Sequence, residues 1–251
     1  MLKKTWNTIL FIWAATLGAM VGLAACIFIL LKEKIETKEP IVKQTNIFLA
    51  NKKRAIIFYR FLSKVYDALN PFLYNDAMRR EVVELASIRR GLALDVGCGT
   101  GYTTEAILKW SAHGEVVGID LTPQQLNKAV KKLKSRRDTL FLRGDAENLP
   151  FKKNTFDAVV SVGAVEYFPD PKRVVQEMAR VVKPGGKVVV GGPELGWFRK
   201  LYLNRILYTP SMEELQVFYR GVGLKDVKTV LTGVDTFFGT DKYAIIVVGE
   251  K

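Results

Sequence analysis

Apolar residues along this chain fall into three regimes. From Trp6 to Leu31 they run almost unbroken, 26 residues without a charge. Between Ile47 and Tyr66 they interleave with bases: Ile47, Phe48, Ile56, Ile57, Phe58, Tyr59, Phe61, Leu62 and Val65 share the stretch with Lys52, Lys53, Arg54, Arg60 and Lys64. From residue 89 onward short apolar runs take turns with longer stretches of helical period, the pattern of strand–helix repeats. The spacing predicts strands at 92–96, 115–119, 139–143, 156–162 and 187–192, and helices at 101–111, 123–135 and 171–182. A late helix from Ser211 precedes strands near 225–231 and 243–249. Strands that alternate with helices assemble into a parallel, doubly wound sheet, so the fold class is α/β. Cap residues support the helix starts. Thr122-Pro123-Gln124-Gln125 offers an N-cap Thr, a first-turn Pro and a Gln at the third position. Asp170-Pro171 opens its helix the same way, and Ser211-Met212-Glu213-Glu214 is a capping box.

The uncharged run is long enough to matter. As a helix it would measure about 39 Å, against a hydrocarbon core of roughly 30 Å. Trp6 and Trp13 suit an interfacial position, Lys3 and Lys4 precede the run, and Lys32, Lys34, Lys38 and Lys43 follow it. The heavier positive flank is C-terminal, which predicts a single-pass membrane protein with its main domain on the cytoplasmic side. Leu23-Ala24-Ala25-Cys26 also has the look of a lipoprotein processing site. Five apolar residues, Ile27 to Leu31, continue past it, whereas a cleaved signal has a core of about 7–15 residues. The expected organisation is a flank over 1–5, a transmembrane anchor over 6–31, a linker over 32–46, an amphipathic helical cap over 47–88 and a domain over 89–251. The segment from Ile47 reads either as a cap on that domain or as a basic helix lying in the membrane interface.

Charge changes the picture in one respect. The net charge is +13, of which residues 1–60 carry +7 and the other 191 residues carry +6. Positive charge concentrated beside an apolar run points to anionic lipid headgroups, and no nucleic-acid partner is expected. Cys26 and Cys98 are the two cysteines and His113 is the one histidine, so no disulfide framework, metal site or histidine base is implied.

The chemistry concentrates where the first expected strand ends. Leu94-Asp95-Val96-Gly97-Cys98-Gly99-Thr100-Gly101 runs apolar strand into three glycines at alternate positions, with a helix to follow. Such a turn lets a ligand lie against bare backbone at a helix N-terminus. Dinucleotide sites use G-x-G-x-x-G to seat a pyrophosphate. Here the glycines fall as G-x-G-x-G and Tyr102 follows, which suits a ligand without one. Val116-Val117-Gly118-Ile119-Asp120 ends a second strand in an acid that can accept both hydroxyls of a ribose. Gly144-Asp145-Ala146-Glu147 follows a third strand, and Lys183-Pro184-Gly185-Gly186 precedes a fifth.

These four motifs in this order resemble the class I S-adenosylmethionine-dependent methyltransferases. The resemblance implies a doubly wound, mostly parallel, seven-stranded Rossmann-like sheet whose last strand inserts antiparallel, with S-adenosylmethionine as cofactor. It places Asp95, Gly97, Cys98, Gly99, Gly101, Asp120, Leu121, Asp145 and Ala146 at the cofactor, with Asp145 and Ala146 meeting the adenine. It makes Lys183–Gly186 a tight turn before strand five. Further segments narrow the likeness: Phe58 to Asp67, Gly144 to Phe151, and Val165-Glu166-Tyr167-Phe168-Pro169-Asp170-Pro171. Over roughly 55–230 the chain is similar to the plastid 2-methyl-6-phytyl-1,4-hydroquinone methyltransferases. It departs from them in carrying its apolar anchor at the N-terminal end. What the likeness implies is C-methylation of a prenylated hydroquinone in quinone synthesis, at a membrane.

A methyl sulfonium is already a strong electrophile, so the protein mainly has to align a nucleophile with it. A hydroquinone carbon becomes nucleophilic as its hydroxyl loses a proton, which a nearby carboxylate or Tyr would assist. Glu166 and Tyr167 follow the carboxyl end of a central strand and are the candidate catalytic pair, with Tyr66, Asp67 and Pro193 expected to line the substrate. After strand five, Pro193 to Tyr208 holds four aromatics and three bases, a composition able to cover an apolar substrate and meet a bilayer. Two rival readings share these features. One is methylation of a phospholipid or another polyprenyl lipid; the other is a membrane-tethered binding module without catalysis.

Overall fold

The computed structural model describes residues 76–88, 91–111, 114–165, 168–193, 210–236 and 239–251, together with Lys52, Ile56, Ile57 and Arg60. In chain order the elements are α1 (Asp76–Ala86), β1 (Gly91–Val96), α2 (Tyr102–Trp110), β2 (Gly114–Asp120), α3 (Pro123–Lys132) and β3 (Thr139–Arg143). They continue with β4 (Phe156–Val162), α4 (Pro171–Val181), β5 (Val182–Pro193), α5 (Met212–Gly221), β6 (Lys225–Thr236) and β7 (Gly239–Glu250). The expected anchor over 6–31 and the linker after it lie outside the described residues. Among the described residues, no helix is long and apolar enough to cross a membrane.

The strands form a seven-stranded sheet in the order β3-β2-β1-β4-β5-β7-β6. The first five pair parallel, and β7 runs antiparallel to both β5 and β6. Strand order reverses between β1 and β4, which makes the carboxyl ends of these neighbours a switch point where open α/β sheets keep their ligands.

Period-two alternation sends successive side chains to opposite faces, and each face has its own helices. Leu94, Val96, Val159, Val188 and Val190 join Val174, Met178 and Val181 of α4 and Leu215 and Tyr219 of α5 on one side. On the other, Ala93, Ala158, Val160, Val162 and Val189 pack with Met78, Val82 and Val83 of α1 and Ala106 and Ile107 of α2. Each fully buried valine here contributes roughly 1.5–3 kcal/mol of transfer free energy. α1 closes the segment expected as a helical cap, and it packs directly on the sheet.

Three local expectations are corrected. Thr122 is the N-cap of α3, but its side chain makes no capping hydrogen bond; its own N–H is donated to Asp120 instead. α3 stops at Lys132, where the Leu133 N–H closes the helix on the Ala129 carbonyl, short of the expected 135. Lys183–Gly186 is an excursion inside β5 rather than a turn before it. Phe156 pairs with Val182 and Ala158 with Lys187, so Asp157 stands opposite four residues. The Lys183 ammonium reaches Asp157 at 2.7 Å, and Gly185 donates its N–H to the Lys251 carbonyl, which ties the excursion down. The caps at Asp170 and Ser211 are as expected: Asp170 accepts the Arg173 N–H, and Ser211 with Glu214 completes its box.

Candidate cofactor and active site

The glycine loop is held to the neighbouring strand by backbone. Gly97 and Cys98 both donate N–H to the Ile119 carbonyl at the end of β2, at 2.9 and 3.1 Å. Gly97 has φ +72°, and a Cβ there would stand 2.5 Å from that of Ala164 across the cleft, so the position admits no side chain. At Gly101, φ is +85° and a Cβ would press on Ala129 of α3 at 3.1 Å. The first glycine of the run thus meets the cleft and the third seats a helix.

Asp120 joins loop and strand. Its Oδ2 accepts the Gly99 N–H at 3.0 Å and its Oδ1 accepts the Thr122 N–H at 2.7 Å. Burial raises its pKa, and the backbone donors of Thr122 and Gly99 oppose that rise. A carboxylate oxygen has two acceptor sites, so each still has room for a hydroxyl of a bound ligand. Asp145 follows β3 in the same manner, with Oδ1 accepting the Glu147 N–H at 3.0 Å. Glu147 in turn takes the Asp170 N–H on Oε1 at 3.0 Å.

These residues wall an open cleft of about 790 Å³, solvent at its mouth included. One side is Gly97, Gly99, Asp120, Leu121, Thr122 and Gln125; Gly144 to Glu147 form another, and Gly163, Ala164, Phe168 and Pro169 a third. Lys52 and Ile56 complete the lining from far back in the chain.

Of the residues expected at the cofactor, Gly97, Gly99, Asp120, Leu121, Asp145 and Ala146 line this cleft together. Asp95, Cys98 and Gly101 stand behind its wall. Asp95 is 1% exposed, and its Oδ2 accepts the Thr104 hydroxyl at 2.7 Å while its Oδ1 has no partner. Burial pushes its pKa up to about 7 against the pull of the Thr104 hydrogen bond. Burial, and then the charges of Asp95 and Asp120, push the Cys98 thiol up as well, so it is a neutral packing group. Pro193 ends β5 opposite Ala244. Glu166, Tyr167, Tyr66 and Asp67 lie outside the described residues; Ala164 and Phe168, which bracket the first two in sequence, both line the cleft.

Sequence reasoning passed over Gln125, Lys52 and Phe168 as site residues. Gln125 is 3% exposed, and its Oε1 has no partner although it borders the cleft. Its signal was available: Gln125 and Ala129 are four apart on one helix face, and Gly101 needs Ala129 inward. Lys52 had no comparable signal, because its partners are 93 and 95 residues away.

The donor set fits S-adenosylmethionine. Asp120 offers carboxylate lone pairs for ribose hydroxyls, bare Gly97 and Gly99 let a ligand approach the backbone, and the unpartnered Gln125 Oε1 is an acceptor awaiting a donor. Comparison with known proteins agrees. Residues 94–190 match the family described as methyltransferase domain. Over 204 residues the chain is 37% identical to 2-methyl-6-phytyl-1,4-hydroquinone methyltransferase 2 of Oryza sativa, covering 79% of this chain and 58% of that one. It therefore spans somewhat under two thirds of that relative's length. It is also 37% identical over 161 residues to the demethylmenaquinone methyltransferase of Staphylococcus aureus, covering 61% of this chain and 67% of that one. In fold it is similar to Haemonchus contortus phosphoethanolamine N-methyltransferase 2, solved with S-adenosylmethionine, at TM-score 0.64 and 15% identity over 86% of this chain and 61% of that one. With the motifs at the strand ends and these similarities together, the chain belongs to the S-adenosylmethionine-dependent methyltransferases.

Proposed function

We propose that this protein methylates a ring carbon of a prenylated hydroquinone in quinone synthesis, working at a membrane to which its N-terminal segment anchors it. The observation that carries the reading is the reach of the similarity. It extends over 204 residues to a hydroquinone methyltransferase, about twice the length of the matched domain, so it takes in segments beyond the cofactor motifs. Two relatives that differ in organism and length both carry names of quinone-ring methylation.

The cofactor supplies a methyl group on a sulfonium, and the chain's own residues bind, orient and move a proton. Asp120 and Gln125 would hold the adenosine at the β2 end, and Leu121, Asp145 and Ala146 would receive its base. Asp95 and Thr104 stiffen the start of α2 through their buried hydrogen bond. Gly163, Ala164 and Phe168 form the substrate side. Glu166 takes the proton of the ring hydroxyl as the neighbouring carbon becomes nucleophilic, with Tyr167, Tyr66, Asp67 and Pro193 around the ring. Trp6 to Leu31 spans the bilayer, with the methyltransferase domain on the cytoplasmic side where the cofactor is available.

The test is label transfer from methyl-labelled S-adenosylmethionine into lipids of membranes that contain the protein, with products resolved by mass. Label in a reduced quinone, absent with Asp120→Ala, is the expected result. Label confined to polar lipids, or to none, overturns the substrate assignment. Glu166→Gln is expected to lower turnover with cofactor affinity unchanged; full turnover would remove Glu166 from the proton path. Alkaline extraction followed by mass measurement checks the anchor, which a mature chain beginning at Cys26 would refute.

A further inference from the structure

At the mouth of the cleft stands an ammonium that belongs to no methyltransferase motif. Lys52 Nζ lies 2.6 Å from Asp145 Oδ2 and 2.5 Å from Glu147 Oε2. Ile56, four residues on, lines the same cleft. The matched domain begins at residue 94, and Lys52 lies well before it.

The two acids do not need Lys52 to hold their positions. Asp145 is fixed by the Glu147 N–H, and Glu147 by the Asp170 N–H. Lys52 therefore reads a rim that is already built, and its charge decides how that rim meets a ligand. Two carboxylates side by side repel each other and anything electron-rich beside them; one ammonium between them halves that charge. Burial works against the charge on Lys52, but its hydrogen bonds to Asp145 and Glu147 outweigh it, so the group stays protonated. The Lys52 side chain keeps 39% of its surface exposed, which makes the contact weak, reversible and open to screening by salt.

We propose that Lys52 is a positioning residue for the cofactor: acting through Asp145 and Glu147, it closes the adenine end of the cleft with a charge brought from outside the methyltransferase domain. This rests on reading the cleft as the cofactor site. Because Lys52 lies between the expected anchor and the domain, cofactor retention becomes sensitive to how the N-terminal segment is seated. The alternative is an ion pair that merely pins that segment, and it makes a different prediction: altered stability without altered affinity.

The experiment uses the full chain in detergent micelles. S-adenosylhomocysteine affinity, KM for S-adenosylmethionine and kcat are measured for wild type, Lys52→Ala, Lys52→Arg and Asp120→Ala at low and high potassium chloride. Expected for Lys52→Ala is a roughly three- to tenfold weaker Kd and higher KM, with kcat within about twofold, a flattened salt dependence and recovery in Lys52→Arg. If Lys52→Ala binds like wild type while Asp120→Ala binds poorly, the proposal is overturned and the cofactor site stands. A fall in melting temperature without a change in affinity overturns it too. Unchanged binding in Asp120→Ala would instead overturn the reading of the cleft itself.

Discussion

The floor and the rim of the cleft are built on different principles. At the floor, Gly97, Cys98 and Gly99 hang on the Ile119 carbonyl and the Asp120 carboxylate, and every tie involves backbone. The far side of the rim is held from below by a side-chain network. The Leu149 N–H goes to Glu177 Oε2 at 2.9 Å, and Arg180 donates to the Leu149 and Phe151 carbonyls at 2.9 and 2.8 Å. The mouth closes with the half-exposed Lys52 bridge. Position at the floor is set by strand geometry and persists as long as the sheet does, whereas position at the rim depends on a few charges and can be tuned or lost.

The strongest way to break the comparison is to remove the support under the rim. Glu177 is 3% exposed and meets Arg180 at 2.7 Å. Glu177→Ala leaves Arg180 without its carboxylate and Leu149 without its acceptor. Arg180 is 37% exposed and keeps its two carbonyls, so the loss is that of the orphaned Leu149 N–H plus a screened ion pair, about 2–4 kcal/mol together, which a denaturant melt will show. The hydrogen bond from Arg180, and after it that from the Leu149 N–H, hold the Glu177 pKa below the usual carboxylate range despite burial. Its contribution is therefore present above the unfolded pKa and is lost as pH falls through the folded one. If Glu177→Ala melted like wild type, the rim would not depend on this network.

Asp95 sharpens the contrast, because its pH dependence has the opposite sign. With its pKa pushed up to about 7, the folded state holds the proton more tightly than the unfolded chain does. Folding is then favoured at low pH, and the benefit is lost as pH rises from the ordinary carboxylate range through about 7. The window is roughly three pH units at about 1.4 kcal/mol each, so about 4 kcal/mol is a ceiling. Asp95→Asn should flatten the stability slope between these limits; an unaltered slope would assign it to other groups.

Asp120 tests the floor directly. Asp120→Ala removes the acceptor of two backbone donors and of the ribose hydroxyls. The expected loss of S-adenosylhomocysteine affinity is about 2–4 kcal/mol, or roughly 30- to 1,000-fold, by titration calorimetry. A loss below threefold would mean that the β2 end does not carry the ribose.

Floor and rim also differ in how far they could be read from the sequence. Floor residues announce themselves locally: three glycines at alternate positions, and an acid at the end of an apolar run. The β4 strand falls at Phe156–Val162 as its alternation predicts. Rim and lining residues come together through the fold alone. Lys52 is 93 residues from Asp145, and nothing in the basic run around it marks one lysine apart from its neighbours. Asp95, which the resemblance places at the cofactor, is joined to Thr104 of α2, a contact that no local pattern announces. Likewise Lys183–Gly186 carried the composition of a turn, and only the pairing of β5 on β4 shows it to be an excursion within a strand.

Gln125 belongs to neither construction, and the smallest predicted effect is the one with two signs. It stands on α3, at the wall, with Oε1 unpartnered and 3% of the residue exposed. A buried acceptor without a donor costs about 1–3 kcal/mol of folding free energy, a cost that structural needs alone would not maintain. Gln125→Leu keeps the volume and helix propensity and deletes the polar atom. The protein should then become more stable by about 1 kcal/mol in a denaturant melt. Its affinity for S-adenosylhomocysteine should fall by about 1 kcal/mol, close to fivefold, because the acceptor that a bound adenosine would satisfy is gone. A structural glutamine would lose stability on this substitution and leave affinity alone. The two measurements together, rather than either one, decide whether the wall of the cleft was shaped for the ligand at the expense of the fold.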